Sequence, residues 1–380
     1  MTDFDQVHDR KGTGSSKWSK FSSDVLPMWV ADMDFPAAPE IIEAISHRLS
    51  HPLLGYGVAR EELKAQIVSD MEAKYGWAIT ADDIVFLPGV EPGFNMALKA
   101  MLQPGDGVLV QTPVYRPMLN APGHWGMVRN EAPLTLGDNG YQVDLAGFET
   151  QLSKSKAFLF CHPHNPSGKV FTREELQAMA TLCAKHDTLI ISDEIHCELL
   201  FDGRTHIPTA TLSDDAKNRT ITLMAASKTY NIAGLKTAFA IIQNKEIRDK
   251  FAASRLGMVD SVNVLGLEAT LAAFQRGLTW KSAMLTYLQA NRDYLVAEVK
   301  RRFPEIRMVA PEGTFLAWLD CSALNLGPDA QAYFLEHGKV GFSAGWEFGE
   351  AYGQFIRLNF GCPRSLLEDG LNRMQRALKR

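Results

Sequence analysis

The sequence predicts an α/β fold in which a mostly parallel central sheet is joined to a smaller C-terminal α+β domain. From about residue 58, segments with helical spacing alternate with short apolar runs, which is typical of a parallel sheet covered on both faces. Near residue 275 the pattern changes to a long helical region with shorter strand and turn signals after it. The 380 residues, of which 46% are hydrophobic, suffice for one large and one smaller domain.

The elements follow from apolar periodicity and from capping signals. Residues 173–186 are predicted to be helical because Thr172, followed three residues later by Glu175, forms a capping box. Residues 220–224 are apolar and β-branched, as in a buried strand. By the same reasoning, we predict helices over 60–75, 93–101 and 280–303, and strands over 84–87, 107–111, 157–161, 189–192, 315–319 and 355–359.

Three parts of the chain are predicted from these elements. Residues 1–45 form an N-terminal segment that is largely irregular and rich in Gly, Ser and Asp, and we expect it to pack with the small domain. Residues 46–275 form the large domain and residues 276–380 the small C-terminal domain.

Composition argues against several classes of protein. A net charge of −5 and a pI near 6.1 argue against a nucleic-acid binder and a polybasic membrane protein. No apolar run approaches the length of a membrane span, and the polar N-terminus lacks the apolar segment of a signal peptide. The five cysteines are scattered without a CxxC pair, so we expect reduced thiols in a cytoplasmic protein, with no zinc site and no disulfide framework.

The segment "FLPGVEPGFN" suggests a phosphate site. A strand runs into Gly89, and a helix begins near Pro92. Ligands of open α/β sheets bind at the carboxyl ends of strands, and free N–H groups at a helix start suit a phosphate. An ordinary glycine turn explains this motif better when it is considered by itself.

Two further strand ends carry polar side chains. In "CHPHNPSGKVFT", two prolines stiffen a loop that presents His162, His164 and Asn165, although an Asn-Pro turn is the simpler explanation. No third ligand has suitable spacing, so no metal site is predicted there. In "LIISDEIHCEL", an acid at Asp193 costs desolvation unless a cation meets it, and a helix N-cap is the alternative role.

Lys228, in "AASKTYNIAGLK", follows the predicted strand 220–224. A lysine near a strand end is usually solvated, but a desolvated one has a lowered pKa and becomes a nucleophilic amine. A lysine, an acid, an asparagine and a phosphate turn on neighbouring strand ends match a cofactor with an aldehyde, a cationic ring nitrogen, a ring hydroxyl and a phosphate. We therefore predict pyridoxal 5′-phosphate (PLP). The alternative, a buried ion pair between Asp193 and Lys228, is seldom a good stabilising device.

Eight motifs in a fixed order extend this inference over nearly the whole chain. They are "KWSKF", "LPMWVADMDFPAAPEI", "GYG", "QTPVYRPM", "HPHNPSGKV", "SDEIHCEL", "SKTYNIAGLK" and "FIRLNFGCPR". With them the chain resembles the PLP enzymes of fold type I (the aspartate aminotransferase superfamily), and within these the cystathionine β-lyase or C–S lyase branch. The resemblance implies the PLP-dependent transferase fold of type I.

The resemblance also implies roles for the residues around the ring. Lys228 would hold PLP as a Schiff base and later move the Cα proton. Asp193 would keep the pyridine nitrogen protonated, and Asn165 would hydrogen-bond the ring 3′-oxygen. Tyr115 would stack on the ring. His196 stands where many aminotransferases have a tyrosine, which marks the lyase branch.

Further positions would hold the phosphate and the substrate. The phosphate would be bound by the backbone N–H groups of Val90 and Glu91 together with Ser227 and Lys236. Tyr56 would reach the phosphate or substrate of a neighbouring subunit, which makes the active site a feature of a homodimer.

The substrate carboxylate would be clamped by Arg357, whose planar guanidinium suits that role better than a lysine. Asn165 would assist Arg357. Residues 29–32, including Trp29 and Ala31, would line the substrate pocket.

Three positions depart from the pattern of the family. Residue 225 is Ala where aminotransferases often have a phosphate-binding serine, and residue 236 is Lys where they usually have Arg. Glu91 places an acid in the phosphate turn, where the lyase branch typically has an apolar residue. Its carboxylate weakens phosphate binding only if it points inward.

The expected reaction is α,β-elimination from an L-amino acid with a sulfur substituent on Cβ, releasing a thiol, pyruvate and ammonia. L-Cystathionine, L-cysteine and other cysteine S-conjugates stay open as substrates. The first alternative is an aminotransferase of class I/II on the same fold, because fold does not decide reaction. The second is a protein that keeps PLP in a regulatory or binding role without turnover.

Overall fold

The computed structural model describes residues 2–137 and 140–379, so Met1, Asp138, Asn139 and Arg380 lie outside the described residues. The strands are β1 (Leu26–Pro27), β2 (Ile84–Leu87), β3 (Gly107–Val110), β4 (Val128–Glu131), β5 (Leu134–Gly137), β6 (Gly140–Val143), β7 (Ala157–Cys161), β8 (Leu189–Asp193), β9 (Thr220–Met224), β10 (Ala238–Ile241), β11 (Arg307–Met308), β12 (Leu316–Asp320), β13 (Val340–Gly341), β14 (Ser343–Ala344) and β15 (Phe355–Asn359). The helices are α1 (Ser16–Ser19), α2 (Pro39–Leu49), α3 (Glu61–Tyr75), α4 (Val90–Met101), α5 (Arg116–His124), α6 (Leu145–Leu152), α7 (Arg173–Lys185), α8 (Asp214–Arg219), α9 (Lys245–Ala253), α10 (Val264–Arg276), α11 (Leu278–Arg302), α12 (Ala330–Gly338) and α13 (Arg364–Leu378).

The central sheet of the described residues has seven strands in the order β2-β10-β9-β8-β7-β3-β4. Neighbouring strands from β9 to β4 are parallel, whereas β10 is antiparallel to both β2 and β9. The mostly parallel sheet predicted from the sequence is therefore confirmed. Because β10 reverses direction, the carboxyl ends of β2, β9, β8, β7 and β3 all lie at one edge of the sheet.

Helices cover both faces of this sheet. On one face, Phe94 and Leu98 of α4 belong to a buried apolar cluster with Val108 of β3 and Leu223 of β9. On the other, residues of α6 and α7 form a cluster with alternate residues of β7, including Phe158. Each such side chain contributes roughly 1.5–3 kcal/mol on burial, so the sheet edge that carries the site is anchored by apolar contacts on both faces.

The N-terminal segment contacts the C-terminal part of the chain. Leu26 and Pro27 of β1 pair in parallel with Val340 and Gly341 of β13. A four-stranded antiparallel sheet, β11-β12-β15-β14, lies in the same C-terminal region. The N-terminal segment therefore pairs with residues 340–341. Its packing with a separate small domain, and the boundaries near residues 45 and 275, stay predictions.

The predicted elements are found with small shifts at their ends, and α4 begins at Val90, three residues before the predicted start. Nine helices of the described residues were not predicted: α1, α2, α5, α6, α8, α9, α10, α12 and α13. Of these, α2 and α5 begin without a side-chain cap, and α5 contains Pro122 in its interior. In the described part of the chain, no helix combines the length and apolar character needed to cross a membrane.

Candidate active site

A cavity of about 750 Å³ lies at the edge of the sheet where the carboxyl ends of the parallel strands meet. It brings together most of the residues predicted for the site, which come from separate parts of the chain. They are Trp29, Ala31, Val90, Glu91, Tyr115, Asn165, Asp193, His196, Ser227, Lys228, Lys236 and Arg357.

Lys228 lies four residues beyond the end of β9, and its side chain is partly open to the cavity. The Nζ atom donates a hydrogen bond to the carbonyl oxygen of Ala31 at 2.7 Å. Burial, followed by the charge of Arg357, lowers the pKa of Lys228 to about 8. A minor but substantial fraction of the amine, roughly a fifth at pH 7.4, is therefore neutral and nucleophilic.

Asp193 is the last residue of β8 and is buried. Its Oδ1 atom accepts a hydrogen bond from the backbone N–H of Ile195 at 3.1 Å, so the side chain closes a turn and does not cap a helix. Burial raises the pKa of Asp193 to about 7. Because the described residues place no cation within salt-bridge distance, this carboxylate suits a cationic group bound in the cavity.

Arg357, on β15, is buried and faces the cavity from the C-terminal region. Its guanidinium donates to Asn165 Oδ1 at 2.9 Å, to the carbonyl oxygen of Trp29 at 2.8 Å and to Ser343 Oγ at 3.0 Å. The Nε atom has no partner, and no carboxylate of the described residues pairs with Arg357. A buried arginine without a counter-ion is a binding site for an anion, and a substrate carboxylate fits it.

Residues 29–32 form a strap whose carbonyl oxygens are fixed by side chains from distant parts of the chain. Trp29 O accepts from Arg357, Ala31 O accepts from Lys228, and Asn359 Nδ2 donates to both Val30 O and Asp32 O. The strap therefore connects the buried arginine with the nucleophilic lysine through one short stretch of backbone.

The strap is also held from its outer side. The side chain of Lys17 is almost fully buried and donates to Asp34 Oδ2 at 2.6 Å and to Asp32 O at 3.0 Å. Lys17 belongs to the "KWSKF" motif, and this contact gives the motif a structural role.

His196 is buried, and burial lowers its pKa to about 3, so the ring is neutral. Its Nδ1 atom has no hydrogen-bond partner in the described part of the chain. An unpaired buried nitrogen is rare in folded proteins and is expected to meet a ligand or a water molecule.

Tyr56 is the one predicted site residue that does not reach this cavity. It is 95% exposed, in a segment without helix or strand that also contains the exposed residues Leu53, Leu54 and Val58. Its predicted role needs a second copy of the chain.

The cavity-lining residues that sequence reasoning missed include Arg116, Ser343, Glu347 and Phe348. Arg116 lies inside the motif "QTPVYRPM" directly after Tyr115, and this position could have predicted that it belongs to the site. The other three lie in residues 343–348, where short elements give no periodic pattern.

Comparison with known proteins agrees with this geometry. The family model described as aminotransferase class I and II matches residues 23–374. The chain belongs to the aminotransferase class I and II family. Cystathionine beta-lyase PatB of Bacillus subtilis is 39% identical, with 99% of each chain covered.

Two solved structures resemble the chain over its length. The crystal structure of OvoB is 44% identical, with a TM-score of 0.95 and 99% of each chain covered. The PLP-bound C–S lyase from Staphylococcus hominis is 30% identical, with a TM-score of 0.95, and the match covers 100% of this chain and 99% of that one. The predicted fold of type I is confirmed.

The residues present fit the PLP of this family. The amino-terminus of α4 has no side-chain cap, so its first N–H groups are open to a phosphate, with Ser227 and Lys236 on the same cavity wall. The uncompensated Asp193 carboxylate suits a pyridinium nitrogen, and the Lys228 amine suits the aldehyde.

The Glu91 side chain lines the same cavity as the turn predicted to bind the phosphate. The Tyr115 hydroxyl donates to Glu91 Oε2 at a long 3.4 Å, so the carboxylate turns toward the tyrosine. We expect Glu91→Val and Glu91→Gln to leave the Kd for PLP unchanged or lower it by up to about tenfold, because each removes a negative charge near the phosphate turn. Titration of the apo-protein with PLP, followed by absorbance, measures this Kd. A clearly higher Kd in both variants would show that the Glu91 carboxylate assists binding.

Proposed function

We propose that the chain is a PLP-dependent carbon–sulfur β-lyase that releases a thiol, pyruvate and ammonia from L-cystathionine, L-cysteine or a related S-conjugate. The observation that carries the PLP-dependent part of the proposal is that Lys228, Asp193 and Arg357 face one cavity and none of them has an ion-pair partner among the described residues. The full-length similarity to PatB and to a PLP-bound C–S lyase supports the lyase reaction.

In this proposal Arg357 and Asn165 bind and orient the substrate. The two side chains are already hydrogen-bonded to each other at 2.9 Å, so they present a fixed pair of groups to the carboxylate. Arg357 is also held over the ring of Phe348, with its Cζ atom 4.8 Å from the ring centroid. Fixing the carboxylate sets the direction of the Cα–H bond, and orientation of this kind supplies much of the rate.

Lys228 moves the proton. PLP held in this cavity would supply an electron sink for the carbanion at Cα. Asp193 would keep the ring nitrogen positively charged. The Lys228 Nζ atom accepts the Cα proton as a neutral amine, and Ala31 O, at 2.7 Å, holds that amine in place. Tyr115, His196, Trp29 and Ala31 all line the cavity. In this proposal the first two would flank the ring and the last two would line the substrate side.

The functional unit in this proposal is a homodimer. The exposed apolar segment around Tyr56 supports it, together with the exposed side chains of Leu256 and Met258. Surface patches of this kind are typical of protein–protein contacts. Tyr56 would then complete the phosphate site of the partner copy. A cytoplasmic location, supported by five buried free cysteines, belongs to the same proposal.

The second candidate is an aminotransferase, which the description of the family model favours. Both reactions need Lys228, Asp193 and Arg357, so these residues do not separate them.

The deciding assay gives the purified PLP-loaded protein L-cystathionine without any 2-oxo acid. We expect continued release of pyruvate, because elimination needs no second substrate. A single conversion of the PLP absorbance to that of the amine form, without further pyruvate, would show an aminotransferase and overturn the lyase proposal.

A further inference from the structure

We propose that Arg116 and Glu347 form a second recognition site in the cavity, which binds the α-carboxylate and α-ammonium at the far end of a thioether substrate. The inference rests on the proposed function and names the substrate class that the site selects. It predicts a preference for S-conjugates that end in an amino-acid group over those that end in an uncharged alkyl group.

The pair lies on the cavity wall next to the groups that bind the near end of the substrate. Arg116 is the first residue of α5 and follows Tyr115 directly. Glu347 lies in the short 3-10 helix Gly345–Phe348, one residue before the ring that packs on Arg357. A substrate whose carboxylate binds Arg357 therefore has both charged side chains within the same cavity.

The hydrogen-bonding capacity of the pair is largely unused. Arg116 Nη1 and Glu347 Oε1 are 3.5 Å apart, and neither side chain makes a hydrogen bond to another group of the described residues. The side chains are 52% and 24% exposed, and a pair of this kind contributes only about 0–1 kcal/mol. A ligand can open it at little cost.

The guanidinium is nevertheless held in place. Arg116 Cζ lies 5.4 Å from the centroid of the Trp346 ring, and Trp346 Nε1 donates to Asp329 Oδ2 at 3.1 Å. This cation–π contact restrains the guanidinium without using its five N–H donors. These donors stay available for a carboxylate.

The spacing of the two charges fits an α-amino acid. In such a group the nitrogen and the carboxylate oxygens are separated by three bonds of about 1.2–1.5 Å each, which places opposite charges roughly 3 Å apart. The 3.5 Å pair presents the complementary charges at a similar spacing. Arg116 can bind the carboxylate with two parallel hydrogen bonds while Glu347 accepts from the ammonium. An alkyl arm offers no partner for either side chain.

The first test compares pyruvate release from L-cystathionine with release from S-propyl-L-cysteine. Losing a hydrogen bond to a charged group costs about 1.5–3 kcal/mol, so we expect Arg116→Met to lower kcat/KM for cystathionine by about 10–100-fold. The effect on S-propyl-L-cysteine should be about twofold or less. Glu347→Gln should also lower kcat/KM for cystathionine relative to that for S-propyl-L-cysteine. The effect should be smaller than that of Arg116→Met, because an amide still accepts a hydrogen bond.

Arg129→Met is the matched control. Arg129 also pairs with a glutamate, Glu131, at the surface, but it does not line the cavity. The Arg129→Met variant should keep the wild-type ratio of kcat/KM for the two substrates. If Arg116→Met lowered kcat/KM equally for both substrates, the pair would only join two parts of the fold. If it left kcat/KM for cystathionine unchanged, the pair would not bind the substrate. Either result overturns the inference.

A binding experiment keeps this inference separate from the lyase proposal. L,L-2,7-Diaminosuberate replaces the sulfur of cystathionine by a methylene, and L-2-aminoheptanoate does the same for S-propyl-L-cysteine. Their Kd values on the PLP-loaded Lys228→Ala variant, by calorimetry, should favour diaminosuberate, and adding Arg116→Met should remove that preference. If the wild-type protein releases no pyruvate from either thioether, the lyase proposal fails, while these Kd values still decide the role of Arg116 and Glu347.

Discussion

The Lys228→Ala variant is expected to release pyruvate from L-cystathionine about 10⁴-fold more slowly than the wild-type protein, because it loses both the cofactor's covalent partner and the base for the Cα proton. Its folded structure should be retained. The partly buried amine of Lys228 makes one hydrogen bond, to Ala31 O, and burial lowers its pKa to about 8, so the charged form is poorly accommodated. The measurements are kcat from pyruvate release and the absorbance of the PLP–lysine adduct, which the variant should lack.

Lys236→Gln is the matched control for this prediction. It removes another lysine from the same cavity, one that we predict to bind the phosphate. This variant should raise the Kd for PLP and yet, at saturating PLP, show the absorbance of the lysine adduct. If Lys228→Ala kept that absorbance and Lys236→Gln lost it, the covalent lysine would be residue 236, and the assignment of roles along "SKTYNIAGLK" would be wrong.

The core of the large domain could be predicted because its strands are short apolar runs that end at polar residues. Strands β2, β7 and β9 have the predicted limits, and β8 extends one residue further to Asp193. Helix α5 could not be found in this way. Pro122 lies in the helix interior and disfavours a helix locally, and the apolar contacts of Met118 and Leu119 with the core override that preference. Pro117 lies in the first turn, where a proline is tolerated.

Local sequence patterns predict only some of the residues of the site. Lys228 and Asp193 could be found because each follows a buried strand, so local sequence carries the signal. The contact between Arg357 and Asn165 joins residues 192 positions apart, and no local pattern encodes it. Without the family resemblance, Arg357 would have been taken as a solvated residue on the polar face of a strand. Tyr56 is a further case, since its place in a site depends on a surface of a second chain.

The second large effect is expected for Asp193→Asn, which should lower kcat about 10³-fold, or about 4 kcal/mol in the activation barrier. An asparagine has nearly the same shape but no negative charge, so the ring nitrogen would lose the partner that keeps it protonated. The spectrum of bound PLP and its dependence on pH should change in parallel with kcat. A variant with normal kcat would show that the ring does not need this charge.

Although Asp193→Asn should lower kcat, it should raise the thermal stability of the apo-protein. Burial raises the pKa of Asp193 to about 7, above its ordinary value of 3.8, so the folded apo-protein holds the proton more tightly than the unfolded chain does. The carboxylate therefore costs stability increasingly as the pH rises from about 4 through 7, and it costs nothing below that window. Apo Asp193→Asn should melt a few degrees higher than the apo wild type at pH 8 and at the same temperature near pH 4. Bound PLP should reverse the order at pH 8, because its ring nitrogen supplies the missing cation.

Glu194→Gln separates this effect from the general loss of a buried acid. Glu194 is the next residue, is fully buried, and contacts His206 Nε2 at 2.6 Å, Ser192 Oγ at 2.8 Å and the backbone N–H of Thr209 at 3.0 Å. It does not line the cavity. We expect this variant to melt at a lower temperature and to keep kcat within a few fold, since its carboxylate is used by the fold alone. The two adjacent acids at the end of β8 would then have opposite effects on stability. Glu194 would stabilise the fold, whereas Asp193 would destabilise the apo-protein and bind the cofactor. If both variants lost stability and activity together, the charge of Asp193 would be structural and the cavity would need another partner for the ring nitrogen.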